Sequence, residues 1–386
     1  MPSDFIKIEA RKELARRKFW DYCQLMAKDF YRDDRKYLRH MCDELEEFSR
    51  SDERILVINM PPRHGKTRTA IMFSQWILGL NPEETIMTGS YNEILSKQFS
   101  KGVRNAIMEK KASDDYLVYT DIFPNTTIKE GEAGANLWAV DGRHFSFLAT
   151  SPQATATGFG ATYLIVDDLI KSADEAYNDN NLDKLWSWLT NTMLTRLEEG
   201  AKLIIVMTRW STKDVAGKAM KFFDESNLTY RLVSYKALQD DGTMLCEDIL
   251  SRESYDFRIK LIGAHVASAN YQQIPIDVKG VLYKNLKKWQ ELPPFEVVYN
   301  YTDVADQGKD WTCSICYGVY RGEAYIIDII YTADGMEITE PQTAEMLVKN
   351  KVRIAYLESN GGGMGFKRSV ERILWENYSS RYTKMK

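Results

Sequence analysis

Apolar residues are grouped along the chain in short runs typical of buried strands and in longer segments with helical spacing. Up to residue 235 the two patterns alternate. Strands are predicted over residues 55–60, 84–91, 144–150, 163–168, 202–208 and 230–235. Helices are predicted over about residues 66–80, 93–110, 182–199 and 213–223. Apolar strands that alternate with helices predict an α/β fold with a mostly parallel sheet covered on both faces.

The segments on either side of this pattern differ from it. Residues 5–50 alternate charged with apolar and aromatic positions at helical spacing, which predicts two amphipathic helices packed on the α/β domain. An alternative for this region is that it also closes over a nucleotide base. Residues 236–294 are irregular, with turn signals at QDDGTM and ELPPFE, and are interpreted as a linker segment.

A second α/β unit is predicted from residue 295 onward. Its expected elements are strands over residues 297–305, 312–320 and 323–331, a helix over about 340–350, and a strand over 353–359. The predicted domains are therefore residues 1–235, a linker over 236–294, and residues 295–386.

Composition and charge exclude several classes of protein. The chain has 386 residues, 44% hydrophobic and 12% aromatic, which is typical of globular domains. Its first residues lack the apolar core of a signal peptide, and no run approaches the ~18 apolar residues of a membrane span. Five cysteines form no disulfide framework and favour a reducing cytosol. Cys313 and Cys316 have C-x-x-C spacing without a second pair, so a structural role is favoured over zinc or redox chemistry.

The formal net charge of -4 argues against a chain that is basic overall, as many nucleic-acid binders are. A locally basic lining can still bind DNA when the rest of the surface is acidic. Composition alone therefore leaves the partner open.

Residues 59–70 (NMPPRHGKTRTA) contain the end of a phosphate-binding loop but lack the glycine with which such loops usually start. In the pattern G-x-x-x-x-G-K-[ST], that position is Met60 here. Because Gly65-Lys66-Thr67 follows a predicted strand and opens a predicted helix, we predict that the loop binds ATP. Lys66 would reach the β- and γ-phosphates, and the Thr67 hydroxyl would bind Mg²⁺.

The loop entrance replaces the permissive glycine with two prolines. Pro61 and Pro62 have a fixed φ and predict a rigid turn. Arg63 then lies close enough to reach a γ-phosphate oxygen within the same chain, and the alternative is a solvated loop residue. The predicted nucleotide contacts in this loop are Pro62, Arg63, His64, Gly65, Lys66 and Thr67.

A second acidic element supports the same prediction. The apolar strand YLIVDD ends in two carboxylates, as a Walker B element does. Asp167 is predicted to hold Mg²⁺, directly or through water. Asp168 is predicted to orient or deprotonate the attacking water. The alternative is a strand that runs into an acidic turn.

Together these segments resemble the large terminase subunits of tailed bacteriophages, the ATPase-nucleases that package DNA. The family's PPRHGK[ST] loop, DD Walker B element and TRW segment match PPRHGKT, LIVDD and VMTRWSTKDVAG here. ATGFGATY before Walker B, LTRLEEG, ANYQQIP and KGVLY agree as well. The resemblance covers about residues 45–363 and implies a P-loop ATPase domain of the ASCE type followed by an RNase H-like nuclease domain.

The resemblance also implies roles and partners. Thr208 and Arg209 would sense the γ-phosphate and couple hydrolysis to movement. Motors of this kind use an arginine from the neighbouring subunit, for which Arg143 and Arg196 are both candidates. The implied partners are double-stranded DNA, a portal protein on a procapsid, a small terminase subunit and further copies in a ring, in the host cytoplasm and without a membrane.

For the nuclease domain, the resemblance implies acidic side chains that hold two divalent metals, Mg²⁺ or Mn²⁺. Asp303 ends the first strand of the second unit and Glu358 ends a later one, as the family has them. Asp306 and Asp310 are interpreted mainly as turn residues. Asp328 is either an edge-facing strand residue or a ligand.

The family's last acidic ligand comes well after the Glu358 strand, and no acidic residue follows Glu376 here. We therefore expect a C-terminally truncated nuclease domain with weak metal binding. Two other classes remain open at this point: a P-loop helicase or DNA-repair ATPase, which would lack the RNase H-like unit, and a scaffold that binds nucleotide without turnover.

Overall fold

The computed structural model of the chain describes residues 2–113, 116–152, 154, 158–276, 288–305, 311–358, 363–378 and 383–386. The chain divides into two units, Met1–Leu282 and Tyr283–Lys386. No helix in these described ranges is long and apolar enough to cross a membrane.

Helices and strands alternate through most of the first unit. Its helices are α1 (Pro2–Arg17), α2 (Phe19–Met26), α3 (Lys36–Arg50), α4 (Lys66–Leu80), α5 (Glu93–Met108), α6 (Tyr119–Ile122), α7 (Ala173–Ala176), α8 (Asp179–Trp188), α9 (Val215–Glu225), α10 (Arg252–Ile262) and α11 (Ala264–Gln272). Its strands are β1 (Ile55–Asn59), β2 (Ile86–Ser90), β3 (Ile128–Ala133), β4 (Leu137–Val140), β5 (Phe147–Thr150), β6 (Ala161–Asp167), β7 (Leu197–Met207) and β8 (Arg231–Ser234).

These strands form one sheet in the order β3-β4-β5-β2-β6-β7-β1-β8. The six strands from β5 to β8 are parallel, and β3 and β4 extend the sheet with antiparallel pairs. Apolar side chains form one core around Trp76 and Phe147 and another around Leu164 and Trp188, so the sheet is buried on both faces. The predicted α/β class with a mostly parallel sheet is confirmed.

The helix predicted over residues 182–199 is wrong at its C-terminal end. Helix α8 stops at Trp188, a π-helix follows over Leu189–Met193, and a 3₁₀ turn over Leu194–Arg196 leads directly into β7. Gly200, at a φ of +84°, lies where the register between β6 and β7 shifts. This irregularity lets the strand start well before its buried apolar part, which is the only part that the sequence pattern shows.

Other elements were not predicted from the sequence. Strands β3 and β4 lie at the sheet edge, and β3 is largely exposed, so its residues lack the apolar run of a buried strand. Residues 5–50 belong to three helices instead of two. The segment predicted to be irregular contains α10 and α11, which pack around Tyr255 and Tyr271 in a small core of their own.

The second unit has helices α12 (Met336–Lys349) and α13 (Gly363–Tyr378) and strands β9 (Val297–Asp303), β10 (Thr312–Tyr320), β11 (Glu323–Thr332), β12 (Ile354–Leu357) and β13 (Lys384–Met385). The sheet order is β11-β10-β9-β12-β13, with antiparallel pairs among the first three strands and parallel pairs for the rest. This is the predicted RNase H-like α/β unit, to which the structure adds α13 and β13. Both helices pack against the sheet face that carries Cys316 and Ala355.

Candidate functional site

The phosphate-binding loop connects β1 to α4 at the carboxyl ends of the parallel strands. Its backbone is left-handed at Gly65, with φ +96°, and also at Arg63, with φ +67°. A Cβ at Gly65 would lie 2.6 Å from Cζ of Phe30, so glycine is required there both for φ and for space. A non-glycine residue at positive φ is uncommon and marks a backbone held in place by its surroundings.

His64 fixes this loop from inside. Its side chain is buried, and Nδ1 lies 2.9 Å from the carbonyl oxygen of Pro62. Its own carbonyl accepts a hydrogen bond of 3.1 Å from the Tyr37 hydroxyl. Burial lowers the pKa of His64, which keeps the imidazole neutral, and Nε2 has no hydrogen-bond partner within the described ranges. The predicted nucleotide contact at His64 thus also has a structural role that the motif did not reveal.

Four side chains of the predicted site meet next to the loop. Nζ of Lys66 lies 2.6 Å from Oδ2 of Asp168. Oγ1 of Thr67 lies 2.9 Å from both carboxylate oxygens of Asp167. Lys66 is 7% exposed and Asp167 is 5% exposed, so most of this charge is shielded from water. The residues that the sequence assigned to phosphate, metal and water are therefore neighbours.

The two acidic residues are electrostatically unequal. Burial and the neighbouring charge of Asp168 raise the pKa of Asp167 from its usual 3.8 to about 7. Lys66 and the Thr67 hydroxyl act in the opposite direction and reduce this shift. A buried carboxylate that is this costly to ionise is a good site for a divalent cation, which would supply the missing positive charge.

Thr208 connects Asp168 to the loop entrance. Its backbone N–H donates to Oδ1 of Asp168 at 2.9 Å, and its hydroxyl donates to the Met60 carbonyl at 3.0 Å. Asp168 itself is in the left-handed region, with φ +45°. The Asp168 carboxylate is thus held at one oxygen by Lys66 and at the other by the end of β7.

The structure changes the interpretation of Arg209. Nε of its guanidinium lies 3.1 and 3.0 Å from the two oxygens of Asp214, a fully buried residue that also caps the start of α9 through the Gly217 N–H. The predicted contact of Arg209 with nucleotide is replaced by this buried ion pair. Its backbone N–H donates to Oε1 of Gln273 at 3.1 Å, a contact with the C-terminal end of α11 that no sequence motif indicated.

The other arginine candidates differ in how they are engaged. Arg143 pairs with the Glu83 carboxylate and also donates to the Glu83 carbonyl at 3.1 Å. Nε of Arg196 is buried without a hydrogen-bond partner in the part of the chain that the structure describes. Arg63 is exposed, and its side chain makes no hydrogen bond or ion pair with any described residue. Among these candidates, Arg63 and Arg196 therefore have hydrogen-bonding capacity that the described residues leave unused.

The arrangement fits a magnesium nucleotide. A lysine and the N-terminus of a 15-residue helix provide positive potential for phosphate. Thr67 and Asp167 offer oxygen ligands of the kind that Mg²⁺ prefers, next to a carboxylate whose raised pKa signals uncompensated charge. Pro62 contributes its carbonyl to the closed turn, so the donors of the loop point away from it.

A second acidic pair lies in the second unit. Strands β9 and β12 are parallel and pair Thr302 with Leu357, and the Glu358 N–H extends this ladder by donating to the Thr302 carbonyl at 3.0 Å. Asp303 and Glu358 are thus at the same end of neighbouring strands, as predicted. The charges of both carboxylates contribute to raising the pKa of Tyr301, so both lie near its phenol.

The structure decides between the two interpretations of Asp328. Asp328 pairs with Cys316 and Cys316 with Asn300, which places it on the face opposite to Asp303. Its carboxylate accepts hydrogen bonds of 2.9 and 2.8 Å from Lys349 and Asn350, and these contacts lower its pKa. Asp328 therefore anchors α12 and is not a ligand beside Asp303.

The remaining acidic candidates lie outside the described residues, namely Asp306 and Asp310. Within the described ranges, no group of three or more Asp, Glu, His or Cys side chains is placed to hold a metal ion. The described part of the second site is consequently a pair of carboxylates.

The first unit is thus an α/β domain of the P-loop class, with its loop, lysine and acidic pair at the carboxyl edge of the sheet. The family model described as "Terminase large subunit, T4likevirus-type, N-terminal" matches residues 57–270, which is more than half of the chain. The chain belongs to this family of phage terminase large subunits. No protein among curated sequences matches the chain.

Solved structures with a related fold are also phage terminases. The HK97 bacteriophage large terminase has 10% identity over 89% of this chain and 79% of that chain, with a TM-score of 0.43. The large terminase of a thermophilic bacteriophage in complex with ATP-γ-S has 11% identity over 85% and 78%, with a TM-score of 0.38. The Thermus phage P74-26 large terminase ATPase domain has 14% identity over 60% and 92%, also with a TM-score of 0.38. Likenesses this distant say nothing about individual residues of this chain.

The raised pKa of Asp167 predicts a specific pH dependence of stability without nucleotide. A carboxyl group whose pKa is raised on folding stabilises the folded state at low pH, and this contribution is lost as the pH rises from about 4 to about 7. Asp167→Asn cannot ionise, so its free energy of unfolding relative to wild type should increase between pH 5 and pH 8. Denaturant unfolding at both pH values measures the difference. An unchanged difference would show that Asp167 ionises as freely in the folded chain as in the unfolded one.

Proposed function

We propose that the first unit hydrolyses ATP to drive double-stranded DNA into a phage procapsid. The observation that supports this most strongly is the joint placement of Lys66, Thr67, Asp167 and Asp168 at the carboxyl edge of the sheet. Membership in the terminase large subunit family supplies the biological context. A scaffold that binds nucleotide without turnover has no need for a second carboxylate held in a defined orientation.

Lys66 would exchange partners when nucleotide binds. Without nucleotide, its ammonium neutralises Asp168 at 2.6 Å. The phosphates of ATP carry more negative charge than one carboxylate and lie where the loop N–H groups converge, so they compete for Lys66. This exchange would release one oxygen of Asp168.

The released Asp168 oxygen would then accept a hydrogen bond from the attacking water and take its proton. The other oxygen stays bound to the Thr208 N–H at 2.9 Å, which keeps the carboxylate plane fixed during the exchange. Because the Thr208 hydroxyl also holds the Met60 carbonyl, a shift of Asp168 would be felt at the loop entrance and at the start of the segment toward α9. Coupling of hydrolysis to movement would start from these contacts.

Thr67 and Asp167 would hold Mg²⁺ in this site. The ion supplies charge neutralisation to the phosphates when it is bound. Thr67 contributes a hydroxyl oxygen, and Asp167 contributes a carboxylate that is already oriented by Thr67.

The proposed partners of the motor are double-stranded DNA, a portal protein on the procapsid, a small terminase subunit and further copies of the chain in a ring, in the host cytoplasm. Of the two arginines considered for action on a neighbouring subunit, we favour Arg196, since Arg143 is engaged by Glu83. An arginine supplied in this way would stabilise charge on the transferred phosphoryl group.

For the second unit we propose an endonuclease site at Asp303 and Glu358 that uses Mg²⁺ or Mn²⁺. Two carboxylates at the same end of parallel strands fit one hard cation through oxygen ligands. Two-metal hydrolysis of a phosphodiester needs more acidic ligands than this pair provides. We therefore expect weak metal binding and little or no DNA cleavage by residues 1–386 on their own.

Substitution of the two charged partners at the ATP site separates binding from turnover. Lys66→Ala should abolish hydrolysis, because phosphate charge in the transition state is left uncompensated. Asp168→Asn should still bind ATP but turn over roughly 10²-fold or more slowly, the scale of a lost general base. Steady-state phosphate release and equilibrium ATP binding measure the two effects. Lys184→Ala, an exposed lysine on α8, is the matched control and should retain wild-type rates.

Hydrolysis by Asp168→Asn at the wild-type rate would remove Asp168 from its assigned role. Tight ATP binding with no phosphate release by the wild-type chain, in the presence of DNA, would instead favour the scaffold.

Arg63 provides a separate test of the loop. If its guanidinium contacts the γ-phosphate, Arg63→Ala should reduce kcat much more than it weakens ADP binding, since ADP lacks that group. Titration calorimetry with ATP and ADP, alongside the rate, gives the comparison. Equal losses of affinity for both nucleotides would make Arg63 a structural loop residue.

A further inference from the structure

Tyr301 lies between the two carboxylates of the second unit. It is two residues before Asp303 on β9, so both side chains are on the same face of the sheet. On β12 it pairs with Tyr356, which is two residues before Glu358. All four side chains therefore share the sheet face opposite to the one covered by α12 and α13.

The phenol of Tyr301 is bonded to only one of these carboxylates. Its hydroxyl donates to Oε1 of Glu358 at 2.8 Å, a normal length for a charge-assisted hydrogen bond. Glu358 has just left the end of β12, where its backbone is fixed by the Thr302 carbonyl. Its side chain would otherwise be free to rotate, because Tyr301 is the side chain to which the described structure bonds it.

This bond determines what Glu358 can offer to a cation. One carboxylate oxygen is occupied by the phenol, and the other stays available on the side of the sheet that carries Asp303. Carboxylates that bind metals are commonly oriented by such outer hydrogen bonds, and loss of one typically weakens metal affinity 10- to 100-fold.

We propose that Tyr301 is a positioning residue that fixes the Glu358 carboxylate for binding a divalent cation together with Asp303. This inference rests on the endonuclease site proposed above. No motif in the sequence singles out Tyr301, since a tyrosine on an alternating strand is typical of sheet packing.

A purely structural role makes a different prediction. The Tyr301 side chain is 46% exposed, and one hydrogen bond on an exposed face adds little to folding stability. Tyr301→Phe removes the hydroxyl and keeps the ring. Tyr299→Phe is the matched control, because Tyr299 is on the same strand and face, stacks with Tyr317, and has no bond to an acidic side chain in the described structure.

The experiment is a titration of the nucleotide-free 386-residue chain with Mn²⁺ alone, with free Mn²⁺ followed by electron paramagnetic resonance. All variants carry Asp167→Asn, which removes the metal ligand of the ATP site. Tyr301→Phe should weaken Mn²⁺ binding about 10-fold or more. Tyr299→Phe should stay within about twofold of the parent, and Asp303→Asn and Glu358→Gln should lose binding. The thermal unfolding midpoint of Tyr301→Phe should equal that of Tyr299→Phe.

The possible failures are distinguishable. Parent-like Mn²⁺ affinity of Tyr301→Phe, with loss of binding in Asp303→Asn, would overturn the role of Tyr301 and leave the metal site in place. Weaker binding accompanied by a lower unfolding midpoint than in Tyr299→Phe would show a structural role instead. Mn²⁺ binding that is absent from the parent, or unaffected by Asp303→Asn and Glu358→Gln, would overturn the metal site and the role of Tyr301 with it.

Discussion

The ion pair between Lys66 and Asp168 is the interaction on which the nucleotide site depends. Two adjacent carboxylates at the end of one buried strand repel each other, and Lys66 forms an ion pair with just one of them. The result is an ionised Asp168 that is held on both oxygens and an Asp167 that resists ionisation. A site in this state is short of positive charge, which is what a magnesium nucleotide brings. Charge balance thus connects the geometry of the loop to the proposed hydrolysis.

The sheet supplies the precision that this charge balance needs. Strand β7 lies between β6 and β1 and is parallel to both, so the carboxyl ends of the three strands bring Asp168, the loop entrance and Thr208 to one edge. Backbone hydrogen bonds then fix these groups without depending on flexible side chains. Beyond β7, the Arg209–Asp214 pair stiffens the turn into α9, and the Arg209 N–H ties it to Gln273 at the end of α11. Changes at Asp168 therefore have a short bonded route to the end of the first unit.

Sequence patterns predicted the parts of this structure that depend on buried apolar runs and on local motifs. Strands β1, β2 and β6, helix α4 and the meeting of Lys66 with Asp168 follow from them. Exposed edge strands such as β3 have no such pattern, and the early start of β7 depends on a bulge at Gly200. Contacts made through backbone N–H groups, such as Thr208 with Asp168, are not encoded in side-chain identity. The same holds for partners far apart along the chain, such as Tyr301 with Glu358.

The most direct test of the account is a structure of the chain with Mg²⁺ and a slowly hydrolysed ATP analogue. It should show Lys66 separated from Asp168 and bound to phosphate, with Thr67 and Asp167 on the metal side and the Thr208 N–H still bonded to Asp168. Nucleotide bound elsewhere, with the Lys66–Asp168 contact of 2.6 Å intact, would contradict it.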